Sequence, residues 1–272
     1  MGVIVPGMTG GTSNSTEIEA KLVIAEGDRE GVLRELLALR RLGPYLLIER
    51  PPREIHDRYF DTADGQLAAC RVAFRLRRQD DRWALTVKGP ARLLPGGAQE
   101  RLEIERHWSA EAFAEILDEL AALGVATDRE PAGRNGATTP LEAIAAAGLK
   151  PLHEREVCRA VRLAALPTDP DHAVAEMALD AVTFRVGGRD LLHYEIEIEG
   201  LGADPAGPVG VAVEELRRRF GAALRPWLWD KLRLGIALEE LESMGRLSRL
   251  VAASGQLLDA GYDAVEERLE RG

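Results

Sequence analysis

Glu17-Ile18-Glu19-Ala20-Lys21 is the stretch from which the fold can be read. On an extended strand successive side chains point to opposite faces, so Glu17, Glu19 and Lys21 line one face while Ile18, Ala20 and Leu22 line the other. Three later stretches repeat the pattern. Glu103-Ile104-Glu105 and Glu195-Ile196-Glu197-Ile198-Glu199 alternate acid with isoleucine, and Arg75-Leu76-Arg77 alternates base with leucine. One such ridge would read as the solvated face of a half-buried sheet. Several ridges sorted by sign read differently. Like charges side by side repel unless an opposite charge lies between them, and their apolar alternates need cover. A sheet closed into a barrel, charged inside and clad with helices outside, meets both demands. Its lumen would hold metal ions and a polyanion.

The composition allows this. The chain has 272 residues, 46% hydrophobic and 29% charged, which suits a soluble globular protein with a substantial core. A formal charge of -10 argues against nucleic acid or a membrane surface as the main partner, so the basic ridges read as a local pocket in an acidic protein. Cys70 and Cys158 lie far apart without ligand spacing, which predicts buried, reduced thiols and a cytoplasmic setting. No apolar run approaches a membrane span, and residues 1–16 read as a disordered leader rich in Gly, Ser, Thr and Asn.

Along the chain, Asp28 caps a predicted helix from Arg29, and Ser109 caps another over Ala110–Leu123. Asp80-Asp81 marks a hairpin that sets Arg75, Arg77 and Lys88 on one face. His153–Leu166 reads as a strand with Arg155 and Arg159 on one face and Arg162 on the other. Gly187-Gly188 turns the chain into Leu192–Glu199. About eight strands result, the number at which a small barrel closes around side chains or one small ligand. Beyond Gly200 the chain reads as helical, including Arg225–Trp229. The fold class is therefore α+β: a closed eight-stranded antiparallel barrel with a charged lumen, surrounding helices and a helical tail. The expected division is a leader over 1–16, the barrel domain over 17–235 and the tail over 236–272.

ExExK at Glu17–Lys21, then Asp57–Thr62, Arg75-Leu76-Arg77 with Lys88, Glu103-Ile104-Glu105, the basic strand, Ala178-Leu179-Asp180 and Tyr194–Glu199 follow in order. With Trp229-Asp230-Lys231-Leu232, this set resembles the CYTH superfamily of triphosphate tunnel metalloenzymes over roughly Glu17 to Gly235. The resemblance implies an eight-stranded tunnel, Mg²⁺ or Mn²⁺, and metal-dependent hydrolysis of the terminal phosphate of a linear triphosphate. Inorganic tripolyphosphate is the first expectation and thiamine triphosphate the second. An adenylyl cyclase of the class IV type and a non-catalytic polyphosphate-binding module are the alternatives. The implied metal ligands are Glu17, Glu19, Glu103, Glu105, Asp180, Glu195 and Glu197. The implied substrate ligands are Lys21, Arg75, Arg77, Lys88 and Lys231, with Arg155 or Arg159 supplying the arginine of the basic strand. Lys21, Glu103 and Glu105 are the catalytic candidates, a carboxylate orienting and deprotonating water. The implied partner is a small-molecule triphosphate, without nucleic acid or membrane, and the protein a monomer or homodimer. Asp57, Tyr59 and Asp61 read as strand-end and turn residues, Glu199 as a solvated strand end, and His107, His153 and His193 as satisfied histidines.

Overall fold

The computed structural model describes residues 13–24, 27–128 and 139–271. Strand β1 (Ser13–Ile24) is followed by α1 (Arg29–Ala38), the short β2 (Arg41–Leu42) and β3 (Tyr45–Glu49), and β4 (Arg53–Thr62). Next come α2 (Gln66–Ala69), β5 (Ala73–Gln79), β6 (Arg82–Lys88), β7 (Arg92–Leu93), β8 (Gln99–His107), α3 (Ala110–Ala122) and α4 (Pro140–Ala146). Two long strands, β9 (Leu149–Leu166) and β10 (Asp169–Val186), lead to β11 (Arg189–Gly200) and α5 (Ala206–Phe220). The described chain finishes with β12 (Leu224–Trp227), α6 (Lys231–Ser243) and α7 (Asp259–Arg271).

Eight strands close on themselves in the order β10-β11-β1-β8-β6-β5-β4-β9, with β9 pairing back onto β10. Every one of these pairings is antiparallel, so the barrel has the expected form. Asp80, with φ 53°, and Gly187 and Gly188, with φ 57° and 73°, supply the left-handed positions of two hairpin turns. Where β8 ends its pairing with β1 at Glu19, β12 takes over along Lys21–Ile24. The helix expected over Arg225–Trp229 is thus replaced by a strand. Pro226 lacks the donor a helix interior needs, while the open edge of β1 offers backbone partners.

Helices cover the outer face. Ile18, Ala20, Leu22 and Ile24 pack with Leu36 of α1 and with Val209, Val213 and Leu216 of α5. Around the barrel, Phe74, Leu76, Leu85, Val87 and Ile104 meet Phe113, Ile116 and Leu120 of α3 and Ile144 of α4. Both predicted caps form: Asp28 accepts from the Gly31 amide at 2.9 Å and Ser109 from that of Ala112 at 3.0 Å. Cys70 is half-buried and Cys158 exposed, so the expectation of two buried thiols fails for Cys158. It sits on the outer face of β9 beside exposed Glu154 and Glu156.

A third apolar cluster lies inside the barrel. Val23, Ile55, Val157, Val182 and Phe184 share the lumenal face with the charged ridges, by the register of their strands. They pack with Trp227 of β12, Leu234 and Leu238 of α6, and Tyr262 and Val265 of α7, and these elements floor one end of the lumen. The boundary expected at 235/236 therefore falls within α6, and the region expected as a tail is part of the core. At the other terminus, β1 begins at Ser13, so residues 13–16 extend the barrel in place of the expected leader. Residues 1–12 lie outside the described residues.

Close approach of α6 to the barrel depends on Gly235. A Cβ there would lie 2.4 Å from Nε2 of His153, a buried ring packed on Phe184 and bonded to Glu239. Gly235→Ala is expected to cost about 1–3 kcal/mol through overpacking, read as a lower urea midpoint. An unchanged midpoint would mean that His153 swings aside freely.

Candidate active site

The lumen above the floor is a cavity of about 500 Å³ whose wall carries both signs of charge. On one side β4, β5 and β9 bring three arginines to a single acid. Asp57 lies opposite Arg77 on β5 and Arg155 on β9, with Arg75 two residues farther along the same face. The Asp57 carboxylate, 0% exposed, takes two bonds from Arg77 at 2.8 and 2.9 Å and one from Arg155 at 2.9 Å, while Arg75 stands 3.6 Å away. Burial alone would raise its pKa, but Arg77, Arg75 and Arg155 hold it well below the usual carboxylate range. Tyr59 belongs to the same group: Arg155 donates to its hydroxyl, and that guanidinium stands 4.7 Å from its ring centre. Asp57 and Tyr59 are therefore lumenal, contrary to their reading as turn or strand-end residues, because they alternate with the outward-facing Phe60 and Arg58. Asp61 does serve a turn, accepting from the Leu67 and Ala68 amides at the start of α2.

Three guanidiniums share that one close carboxylate, and the balance is incomplete. Nε of Arg75 and both Nε and Nη1 of Arg155 are buried with no hydrogen-bond partner. Such groups cost free energy until an acceptor reaches them.

The opposite wall gathers acids. Asp180 faces Glu195 across β10 and β11 and faces Arg159 across β9, with Glu197 one step along. Oxygen atoms of Asp180, Glu195 and Glu197 lie within 4.8 Å of one another. Lys231, the first residue of α6, places Nζ 3.0 Å from Asp180 and in contact with Glu195 and Glu197. Arg159 bonds both oxygens of Asp180 at 2.8 and 2.7 Å and also contacts Glu197. Burial opposes ionisation of Glu197, yet Lys231 and Arg159 hold its carboxyl well below its ordinary value. Arg155 and Arg159, the two candidates on the basic strand, both line the lumen from β9, Arg155 toward Asp57 on β4 and Arg159 toward Asp180 on β10.

A second acidic arc runs along β1 and β8. Lys88 bonds Glu17 at 2.9 Å and Glu103 at 3.1 Å, Lys21 pairs with Glu19, and Glu105 accepts from Thr86 at 3.3 Å. Arg101, which the sequence reading missed, bonds Glu17 at 2.8 Å and also contacts Glu19. Its signal was the continuation of the Glu103/Glu105 alternation two residues upstream. Glu199, expected to be solvated, instead lines the cavity. Burial, then the charges of Glu17 and Glu103, push its carboxyl well above the ordinary range. Of the histidines, His107 is exposed, His153 pairs with Glu239 at 2.8 Å, and His193 contacts Glu195.

Comparison with known proteins fits this geometry. The profile of the CYTH domain matches residues 15–222, most of the chain and all eight barrel strands. The chain belongs to the CYTH family. No curated protein matches it in sequence. Among solved structures, HpAC1 from Hippeastrum, named as an adenylyl cyclase and described as having a dominant triphosphatase activity, is 20% identical. The match covers 81% of this chain and 95% of HpAC1 with a TM-score of 0.51, which shows a shared fold. PH1819 from Pyrococcus horikoshii OT3 is 19% identical over 82% of this chain and 99% of its own, with a TM-score of 0.42. The RNA triphosphatase Pct1 of S. pombe is 11% identical over 82% and 96%, with a TM-score of 0.34. Among the described residues of this CYTH protein, no helix is long and apolar enough to cross a membrane.

Proposed function

We propose that this CYTH protein hydrolyses the terminal phosphate of a linear triphosphate with Mg²⁺ or Mn²⁺, inorganic tripolyphosphate being the first substrate and thiamine triphosphate the second. The observation that carries the reading is the trio Arg75, Arg77 and Arg155, which line the cavity and share the single close carboxylate of Asp57. An excess of buried guanidinium calls for an anion with several oxygens, and planar guanidiniums match phosphate. Lys21, Lys88, Arg159 and Lys231 extend the cationic lining around the cavity.

The acids fit a hard divalent cation. Asp180, Glu195 and Glu197 offer three carboxylates in close range, gathered around the Lys231 ammonium, with the Arg159 guanidinium against Asp180 and Glu197. They would hold the ion, with Glu17, Glu19, Glu103 and Glu105 available along the second arc. Bound there, Mg²⁺ or Mn²⁺ neutralises phosphate charge and supplies Lewis acidity. Lys88 and Arg75 work against the burial of Glu103 and hold its carboxyl low, which makes it a poor proton acceptor. Glu105, with its side chain 44% exposed, is the better placed of the pair to orient and deprotonate water. Lys21 then neutralises charge near Glu19, and positioning supplies most of the acceleration.

The lining supports this order of substrates. Tyr59 is the sole aromatic residue among the described lining residues, and its hydroxyl and ring are both engaged by Arg155. A thiazolium, pyrimidine or adenine ring finds little stacking surface there, while a bare tripolyphosphate needs none. The test is incubation with Mn²⁺ or Mg²⁺ and, in turn, tripolyphosphate, thiamine triphosphate and ATP. Fastest phosphate release from tripolyphosphate is expected. Pyrophosphate with cyclic AMP would make the protein a cyclase, and binding without turnover would make it a polyphosphate-binding module.

A further inference from the structure

Glu195 is gripped from two sides. Its Oε1 contacts Nζ of Lys231 in the lumen, while its Oε2 lies 3.0 Å from Nε2 of His193. The other ring nitrogen of His193, Nδ1, lies 2.9 Å from the hydroxyl of Tyr262 on α7. Glu195 is 0% exposed, His193 1% and Tyr262 2%, so water does not compete for these bonds. His193 precedes Glu195 by two residues on β11 and shares its face, one step toward the floor. There the ring is wedged among Phe184, Trp227 and Tyr262, with centroid separations of 6.2, 6.4 and 5.7 Å.

With a neutral ring, one arrangement of protons satisfies this chain. A carboxylate only accepts, so Nε2 carries the hydrogen and donates it to Glu195. Nδ1 is then a lone pair and takes the hydrogen of Tyr262. Burial pushes the Tyr262 hydroxyl above its ordinary pKa, which keeps that hydrogen in place.

We propose that His193 is a positioning residue for Glu195, and that Tyr262 fixes its tautomer from beneath the floor. With Oε2 held by the imidazole, Oε1 turns toward Lys231 and toward the divalent cation that Asp180, Glu195 and Glu197 would share. This rests on the metal-dependent reading above. It gives α7 a part in the lumen's chemistry that its amphipathic sequence does not reveal. An imidazole behind a metal-ligating carboxylate limits rotation of that carboxylate, and outer partners of this kind are worth about 10–100-fold in metal affinity or activity.

The test titrates Mn²⁺ alone into the full chain, reading free ion by electron paramagnetic resonance, for wild type, His193→Gln and Tyr262→Phe. Imidazole ¹⁵N shifts of the metal-free protein give the tautomer. The wild-type ring is expected as Nε2–H. His193→Gln is expected to weaken Mn²⁺ binding by about tenfold or more. Tyr262→Phe keeps the aromatic packing and is expected to weaken it less, while the His193 signal becomes a mixture of tautomers. With tripolyphosphate both variants should lose kcat at little change in KM. Wild-type Mn²⁺ affinity in both variants, or an Nδ1–H ring in wild type, overturns the proposal. If His193→Gln does not fold, Tyr262→Phe decides alone. Tripolyphosphate hydrolysis with both variants like wild type refutes the positioning role and spares the reaction. Weakened Mn²⁺ binding in the variants of a protein that hydrolyses no triphosphate does the reverse.

Discussion

Asp57→Asn is expected to lose about 3–5 kcal/mol of stability, the cost of removing one partner from a buried ion pair. At about 2–4 °C per kcal/mol for a chain near this size, the unfolding midpoint falls by roughly 10 °C. The amide keeps the shape of the side chain but leaves Arg75, Arg77 and Arg155 facing one another with no carboxylate between them. A polyphosphate oxygen can replace the missing charge. Tripolyphosphate without divalent ion should therefore raise the midpoint of the variant more than that of wild type. The pH dependence has a definite direction. The folded pKa of Asp57 lies well below its unfolded value, so its contribution is complete above about pH 4 and is lost only as pH falls through the folded value. The gap between wild type and variant should hold steady from about pH 5 to 8 and close only in stronger acid. Equal midpoints at neutral pH would show that the arginines need no internal counter-ion.

Glu197→Gln acts on the other wall. Its side chain is 16% exposed and meets Lys231 and Arg159, while Asp180 and Glu195 remain to balance both cations. The variant is therefore expected to stay folded, with a thermal midpoint close to wild type. Turnover of tripolyphosphate should nevertheless drop by on the order of 10²-fold or more, the scale for losing one preorganised charge at a reacting centre. Activity within a few-fold of wild type, measured at saturating Mn²⁺, would remove Glu197 from the metal set.

The barrel was legible because its ridges carry the period of a strand and because like charges on one ridge require opposite charges nearby. Glu17, Arg75, Lys88 and Glu195 all face the lumen, as that reasoning requires. Asp57 was not legible. A lone aspartate between Ile55 and Tyr59 has no repeating charge beside it, and its role appears only when β5 and β9 bring arginines across. Arg101 was hidden for a related reason, since a base beginning an acidic ridge looks like noise until Glu17 and Glu19 meet it from β1. Leu238, Tyr262 and Val265 read as the apolar stripe of a tail, because period alone cannot tell a helix laid on the outside from one stopping the end of a cylinder.

That stopper shapes the traffic. With α6 and α7 under the lumen, a chain of phosphates bound as proposed would not be drawn through from one side to the other. It would enter by its tip, as a key enters a blind lock, and whatever was cut from it would back out past the same rim. On that reading each product clears the doorway before the next guest arrives, and a longer polymer would be shortened from its end.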